Sequence, residues 1–239
     1  MKNKIYRNFF TIRILIVLSL LFTAAFSEES AEELFNTALK YQKNGQLDQA
    51  EQYYKASLKL KSDVDAMYNL GILYEDKNNY TEAEKYFKMA YDAGLSKAAY
   101  KLGYVYSKLN KKDLSERYYL QSVTKDNNID AMYNLAVLYN SSSKKNDAIK
   151  YFKMAADKGD IDAAYNLGLL YDDAGNFDSA EYYYKKAADV NNNNINALYN
   201  LAILYEKQNK INDSLKYYEK TYNRNYDLKI LYKLGLLND

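Results

Sequence analysis

The sequence predicts an all-α protein built as a solenoid of helix–turn–helix repeats, and three observations carry that prediction. The string AMYNLGILYEDKNNYTEAEKYFKMA at Ala66–Ala90 returns in near copy at Ala131–Ala155 and again at Ala163–Ala187. A small residue in the same context falls at Ala38, Gly71, Gly103, Ala136, Gly168, Ala202 and Gly235, at spacings of 33, 32, 33, 32, 34 and 33. Helix start and stop signals recur in register between these anchors. A fixed period of this length means units that bury their apolar faces only against their neighbours.

Taken from its start, Met1–Ser27 reads as a secretory signal peptide. Lys2, Lys4, Arg7 and Arg13 precede an apolar run from Ile14 to Phe26, and Ala25-Phe26-Ser27 precedes Glu28. The run is short for a bilayer span of about 20 residues, so cleavage and export are expected, with an uncleaved anchor as the alternative. Residues 28–239 form the repeat domain. Ser30 caps its first helix, with Glu33 as reciprocal partner. Leu34, Ala38 and Tyr41 share one helical face.

Each repeat then follows one plan. The turn between its helices falls on Gly45, Asn78, Asn110, Ser143, Gly175 or Asn209, mostly types that tolerate the left-handed conformation. Asp48, Thr81, Asp113 and Asp178, each with a glutamate three residues on (Glu51, Glu84, Glu116, Glu181), predict capping boxes at the second helices. Small residues at Ala50, Ala83, Ser115, Ala148, Ala180 and Ser214 mark second-helix packing. So do those at Ser57, Ala90, Ser122, Ala155, Ala187 and Thr221. Core aromatics lie between them at Tyr54, Phe87, Tyr119, Phe152, Tyr184 and Tyr218. Gly94 and Gly159 allow the tight exits of the two 32-residue units, and Asn191–Asn194 reads as a polar loop. Residues 228–239 form a lone capping helix, with Lys229, Lys233, Asn238 and Asp239 on its polar side and Leu231, Leu234 and Leu237 as a contact patch.

In the unit that begins at Val64, Leu70, Gly71, Tyr74, Ala83, Phe87 and Ala90 resemble the spaced L-G, Y, A, F and A positions of the tetratricopeptide repeat. The resemblance covers Ala31 to Asp239, as six full units starting near 31, 64, 96, 129, 161 and 195 and the capping helix. It departs from the family in lacking the first-helix tryptophan, replaced by Met67, Ala99, Met132, Ala164 and Leu198, and the terminal proline. MAYDAGLSKAAY and MAADKGDIDAAY also resemble Sel1-like repeats. The resemblance implies a right-handed superhelical solenoid whose first helices line a concave face, acting as a protein–protein interaction scaffold or adaptor.

Composition narrows the chemistry. The chain has no histidine and no cysteine, which removes histidine-dependent triads, thiol nucleophiles and His/Cys zinc sites. Its glycines are scattered singly. The carboxylate pairs Glu75-Asp76 and Asp172-Asp173 are adjacent in sequence and so do not face each other on a helix. No enzyme activity, metal or cofactor is expected. Beyond the basic leader, 29 basic residues stand against 31 acidic ones, which gives no electrostatic basis for nucleic-acid binding. The expected partner is a protein or peptide, and the export signal is the only membrane element. A self-associating component of the cell envelope is the alternative reading.

Three rows on the first helices are the candidate binding residues. Tyr68, Tyr100, Tyr133, Tyr165 and Tyr199 lie three residues before the small anchor. Asn69, Lys101, Asn134, Asn166, Asn200 and Lys233 lie next to them. An apolar row, Leu39, Ile72, Tyr104, Val137, Leu169 and Ile203, follows one turn on. Asparagine offers both donor and acceptor to a peptide backbone, and tyrosine adds rigid contact surface. The sets Asn69, Lys97, Lys101 and Asn200, Lys229, Lys233 also match three of the five polar residues with which related domains grip a C-terminal carboxylate. Phe35 and Leu39, or Tyr165 and Leu169, stand where the other two belong, so only a weaker anion contact is expected.

Overall fold

The computed structural model describes residues 29–189 and 194–238. Met1–Ser27, the expected signal peptide, lies outside them, as do Asn191–Asn193 of the expected polar loop and Asp239 of the expected capping helix. The described residues form thirteen α-helices and no strands. They are α1 (Ala31–Lys43), α2 (Leu47–Leu60), α3 (Val64–Asp76), α4 (Tyr80–Asp92), α5 (Ala98–Lys108), α6 (Lys112–Asp126) and α7 (Ile129–Ser141). They continue with α8 (Lys145–Asp157), α9 (Ile161–Asp173), α10 (Phe177–Asp189), α11 (Ile195–Lys207), α12 (Ile211–Asn225) and α13 (Leu228–Asn238). The chain divides into two units, Met1–Asn110 and Lys111–Asp239. Within each, every helix packs on the one before it and the one after it, which is how a helical-repeat array buries its core.

Local chemistry sets the helix ends. Ser30 Oγ accepts from the Glu33 amide, and Glu33 Oε2 accepts from the Ser30 amide at 2.8 Å, so α1 opens on the expected capping box. Later first helices open on an Asx cap. Asp63, Asn128, Asp160 and Asn194 accept from the amides of Ala66, Ala131, Ala163 and Ala197 at 2.7–2.9 Å. Asn194, the end of the tetra-asparagine run, is therefore a cap and not merely a polar loop residue. The third repeat opens differently from the others: Ser96 and Lys97 form a turn, the Ala99 amide bonds the Ser96 carbonyl, and α5 begins at Ala98. All six turn positions between paired helices have positive φ, from 56° to 74°.

The second helices do not open on the predicted capping boxes. They start two residues earlier than those caps require, at Leu47, Tyr80, Lys112 and Phe177. That puts Asp48, Thr81, Asp113 and Asp178 inside the first turn, where they cannot cap. Asn79 and Asn176 take the role instead, accepting from Glu82 and Ser179, while α2, α6, α8 and α12 have no side-chain cap.

Packing within a repeat turns on the small anchor. Gly71 lies directly under the Phe87 ring: a Cβ placed there would come within 2.6 Å of Phe87 Cδ1. Gly168 lies as closely under Tyr184. Phe87 and Tyr184 are fully buried. The small residues of the second helices are buried with them, and Ser57, which takes an alanine's place, satisfies its hydroxyl on the Ala31 carbonyl at 2.7 Å.

Gly71→Leu is expected to destabilise the chain by about 1–3 kcal/mol through overpacking. Gly235→Ala, where a Cβ would meet nothing within 4 Å, should cost nothing. Urea unfolding checks the magnitudes. Hydrogen exchange should show the Gly71→Leu loss concentrated in α1–α5, and equal loosening of α11 and α12 would contradict nearest-neighbour packing.

Candidate functional site

The tyrosine row is half built into the core. Tyr68 lies on Phe87 with ring centroids 5.5 Å apart, Tyr133 on Phe152 at 5.7 Å, Tyr165 on Tyr184 at 6.1 Å and Tyr199 on Tyr218 at 5.8 Å. Each is half-buried, as is Tyr100. Their rings therefore belong to the repeat's own packing, and only their edges are open to a ligand.

The asparagines are not simply solvent-facing side chains either. Asn200 Nδ2 donates to the Tyr165 hydroxyl of the preceding repeat at 3.2 Å, and Asn166 Nδ2 donates to the Asp162 carbonyl one turn back at 2.8 Å. Asn69 and Asn134 are half-buried at the equivalent positions. The Asn166 and Asn200 amides are thus held in place by their nitrogen ends, and their Oδ1 atoms accept no hydrogen bond among the described residues. Burial, with the Asp162 charge, pushes the Tyr133 hydroxyl above its usual range.

The lysines of the expected anion contact are largely spoken for. Lys101 Nζ lies 2.9 Å from Glu75 Oε1, and Lys233 Nζ lies 2.8 Å from Glu206 Oε1. Lys97 Nζ sits 4.4 Å over the Tyr68 ring, and Lys229 is exposed. A carboxylate supplied by the protein already occupies two of these lysines, which removes most of their pull on an incoming anion. Among the described residues there is no group of three or more acidic side chains placed to hold a metal.

What remains available on the first helices is the aliphatic row. Leu39 is 38% and Val137 41% exposed, and Ile72, Leu169 and Ile203 are half-buried. Ile203 packs with part of its side chain on the cluster of Ala202, Tyr218 and Ile230, so Val137 is the most open of the row in the second unit.

Two tyrosine features have no counterpart in the sequence reading. A tyrosine directly before each core aromatic stacks on the first-helix core tyrosine: Tyr41 on Tyr53, Tyr74 on Tyr86, Tyr139 on Tyr151, Tyr171 on Tyr183 and Tyr205 on Tyr217, with centroids 5.2–5.6 Å apart. The recurring doublets Tyr53-Tyr54, Tyr86-Phe87 and Tyr151-Phe152 were the signal. The same first-helix tyrosines donate to the glutamates expected to cap. Tyr74 bonds Glu51 at 2.7 Å, Tyr106 bonds Glu84 at 3.1 Å and Tyr139 bonds Glu116 at 2.9 Å. These bonds join one repeat to the next.

Glu51 is the most heavily bonded of these carboxylates. Burial opposes its ionisation, but Lys55, Lys77 and Tyr74 together hold its pKa down at about 2. Against burial, Lys185 and Tyr205 lower Glu181 in the same way. Lys233 lowers Glu206, against burial and with help from Tyr218.

These features define a helical-repeat protein whose first helices present a narrow aliphatic strip beside fixed amides. The chain belongs to the tetratricopeptide-repeat family, with Sel1-like features. Tetratricopeptide-repeat models match residues 35–96, 96–128 and 173–227, and a Sel1-repeat model matches residues 129–160. No curated protein matches its sequence.

Among solved structures, it is similar to YrrB, described as a tetratricopeptide-repeat protein with an unusual peptide-binding site. The identity is 29%, covering 74% of this chain and 95% of that one, at a TM-score of 0.58. It is similar to MamA at 26% identity, covering 64% and 92%, at a TM-score of 0.57. The pilF protein of Pseudomonas aeruginosa, at 14% identity, 86% and 96% coverage and a TM-score of 0.67, shares the fold alone. A protein–protein interaction scaffold is the function this family supports.

The depressed carboxyl fixes a pH dependence. Because the folded pKa of Glu51 lies below its ordinary 4.5, its contribution is complete above that value and is lost as pH falls toward about 2. Glu51→Gln is expected to lower the urea midpoint at pH 7 and to lose less of it between pH 5 and pH 2 than the wild type does. Parallel curves for the two proteins would contradict the assignment.

Proposed function

We propose that the chain is an exported scaffold that holds an extended peptide against its first helices, with α7, α9 and α11 as the principal contact. The observation that carries this reading is the partly open aliphatic strip, Val137 with Leu169 and Ile203, flanked by Asn166 and Asn200. A peptide lying along it would bury alternate apolar side chains on the strip and donate backbone N–H groups to the two Oδ1 atoms. Because the amides are already fixed, little side-chain entropy is lost when the peptide binds. The description of YrrB as peptide-binding supports the same reading. Export rests on the composition of Met1–Ser27, and a mature protein whose intact mass begins at Glu28 would bear it out. Among the described residues no helix is long and apolar enough to cross a membrane.

The paired lysines count against carboxylate capture as the dominant mode. Lys101 would have to leave Glu75, and Lys233 would have to leave Glu206, before either met a ligand. Tetratricopeptide and Sel1 folds are typically non-catalytic, and the chain is read as a binding protein.

Peptides selected from a phage-displayed random library on the purified chain provide the probe. Val137→Asp with Ile203→Asp should weaken the selected peptides by tenfold or more, since burying about one aliphatic side chain contributes on the order of 1.5–3 kcal/mol. Asn166→Ala with Asn200→Ala should weaken them several-fold, at about 0.5–1.5 kcal/mol per hydrogen bond. The Asn200 change also removes a bond to Tyr165, so its unfolding midpoint must be measured alongside. Lys153→Ala with Lys216→Ala, on exposed second-helix positions, should leave affinity unchanged. Peptides that lose binding only in the lysine variant would overturn the reading.

A further inference from the structure

In three repeats the residue two before the core aromatic lays its cation on the tyrosine that follows it. Lys85 Nζ lies 5.0 Å from the centroid of the Tyr86 ring, Lys150 Nζ 5.1 Å from Tyr151, and the Arg117 guanidinium 5.9 Å from Tyr118. On the first helices Lys55 lies over Tyr74, Lys144 over Tyr139 and Lys210 over Tyr205, at 5.2–5.7 Å. Each distance is within the reach of a cation–π contact. The stack of Tyr171 on Tyr183 differs: neither ring has a cation over it among the described residues.

Tyr182 on α10 stands at the position of Lys85, Arg117 and Lys150. Its ring meets Tyr183 edge to face, with centroids 4.9 Å apart and planes at 85°. Rings at that angle pair the positive edge of one with the negative face of the other. Tyr183 is buried, while Tyr182 is 59% exposed. Where the other repeats put a positive charge on this surface, α10 therefore puts an electron-rich ring. One turn back, Asp178 is exposed, and its carboxylate has no hydrogen bond or ion pair among the described residues. A helical side chain leans over the turn before it, which brings the Tyr182 ring beside that carboxylate. The lysines that follow are already paired, Lys185 with Glu181 at 2.6 Å and Lys186 with Asp157 at 3.2 Å.

We propose that Tyr182 and Asp178 form a binding site for a primary alkylammonium group, the side chain of a lysine on a protein partner. The ring supplies cation–π attraction, and the carboxylate accepts a charge-assisted hydrogen bond from the ammonium. The repeat uses the same contact internally, with Lys85 on Tyr86 and Lys150 on Tyr151. At Tyr182 the ring and the cation come from different molecules. The site lies on a second helix and is independent of peptide binding on the first helices.

Titration of the full chain with Nα-acetyl-lysine methylamide tests the site, with the ε-methylene protons of the probe as the readout. A methylene held over a ring face is shifted upfield by the ring current, so the sign of the shift reports the geometry. The wild type should move these protons upfield, with a Kd on the order of 10 mM. The uncharged norleucine analogue should bind about fivefold more weakly or not at all. Choline, which has no N–H to give Asp178, should bind more weakly than the lysine probe. Tyr182→Lys restores the residue type of the other repeats, so it should keep helix content and unfolding midpoint while abolishing the upfield shift. Tyr182→Trp should strengthen binding, and Asp178→Asn should weaken it about threefold. No upfield shift with the wild type, a norleucine analogue that binds as tightly as lysine, choline that binds more tightly, or a folded Tyr182→Lys variant that binds like the wild type would each overturn the proposal.

Discussion

A ring laid on a residue with little or no side chain is the contact on which the rest of this structure depends. Phe87 over Gly71 and Tyr184 over Gly168 fix how far apart the paired helices stand and which way each is turned. Once that rotation is set, the first helix must send its core tyrosine inward, toward Tyr86 or Tyr183, and must leave the residue after the anchor facing out. The partly exposed aliphatic strip is thus a consequence of the same geometry that makes the core. The tyrosine three residues before the anchor is drawn against the buried ring by the same packing, which is why it is a half-core residue and not a free contact group.

Between repeats the join is polar as well as apolar. Tyr74, Tyr106 and Tyr139 reach carboxylates on the preceding second helix, and lysines such as Lys77 and Lys207 add ion pairs to Glu51 and Asp172. Most of these charges are partly exposed, so each pair by itself contributes little. Their combined effect is to satisfy tyrosine hydroxyls that burial would otherwise leave costly. In one repeat Ile149 stands where the glutamate would be. Tyr171 there keeps its stack on Tyr183, so the aromatic pair is the constant feature and the carboxylate an addition to it. A chain without a single cysteine has to hold its repeats together by such contacts.

The repeat register, the core tyrosines and the turn residues were legible in the sequence, because each depends on a spacing or on a backbone conformation that few residue types adopt. Asn78, Asn110, Asn209 and Ser143 all take the left-handed conformation. The capping glutamates were misread for a physical reason. A carboxylate three residues after Asp or Thr has the local spacing of a capping box, but Glu51 and Glu84 instead meet tyrosine hydroxyls more than twenty residues away in sequence. The asparagine row was legible as a row, while its bonds were not: Asn200 reaches Tyr165 only once two repeats are stacked. The outward turn of Leu231 against the inward turn of Leu234 likewise depends on where α13 meets α12.

The central claim is the proposal that α7, α9 and α11 leave an aliphatic strip available and that a peptide binds there. Side-chain amide resonances of Asn166 and Asn200 test this most directly, because their nitrogens are already bonded within the protein and their oxygens are open. Titration of the labelled chain with a selected peptide should shift both amide pairs and the methyls of Val137, Leu169 and Ile203, and leave the methyls of Leu34 and Leu70 in place. Shifts confined to second-helix residues, with the two asparagine amides unmoved at saturation, would contradict the account.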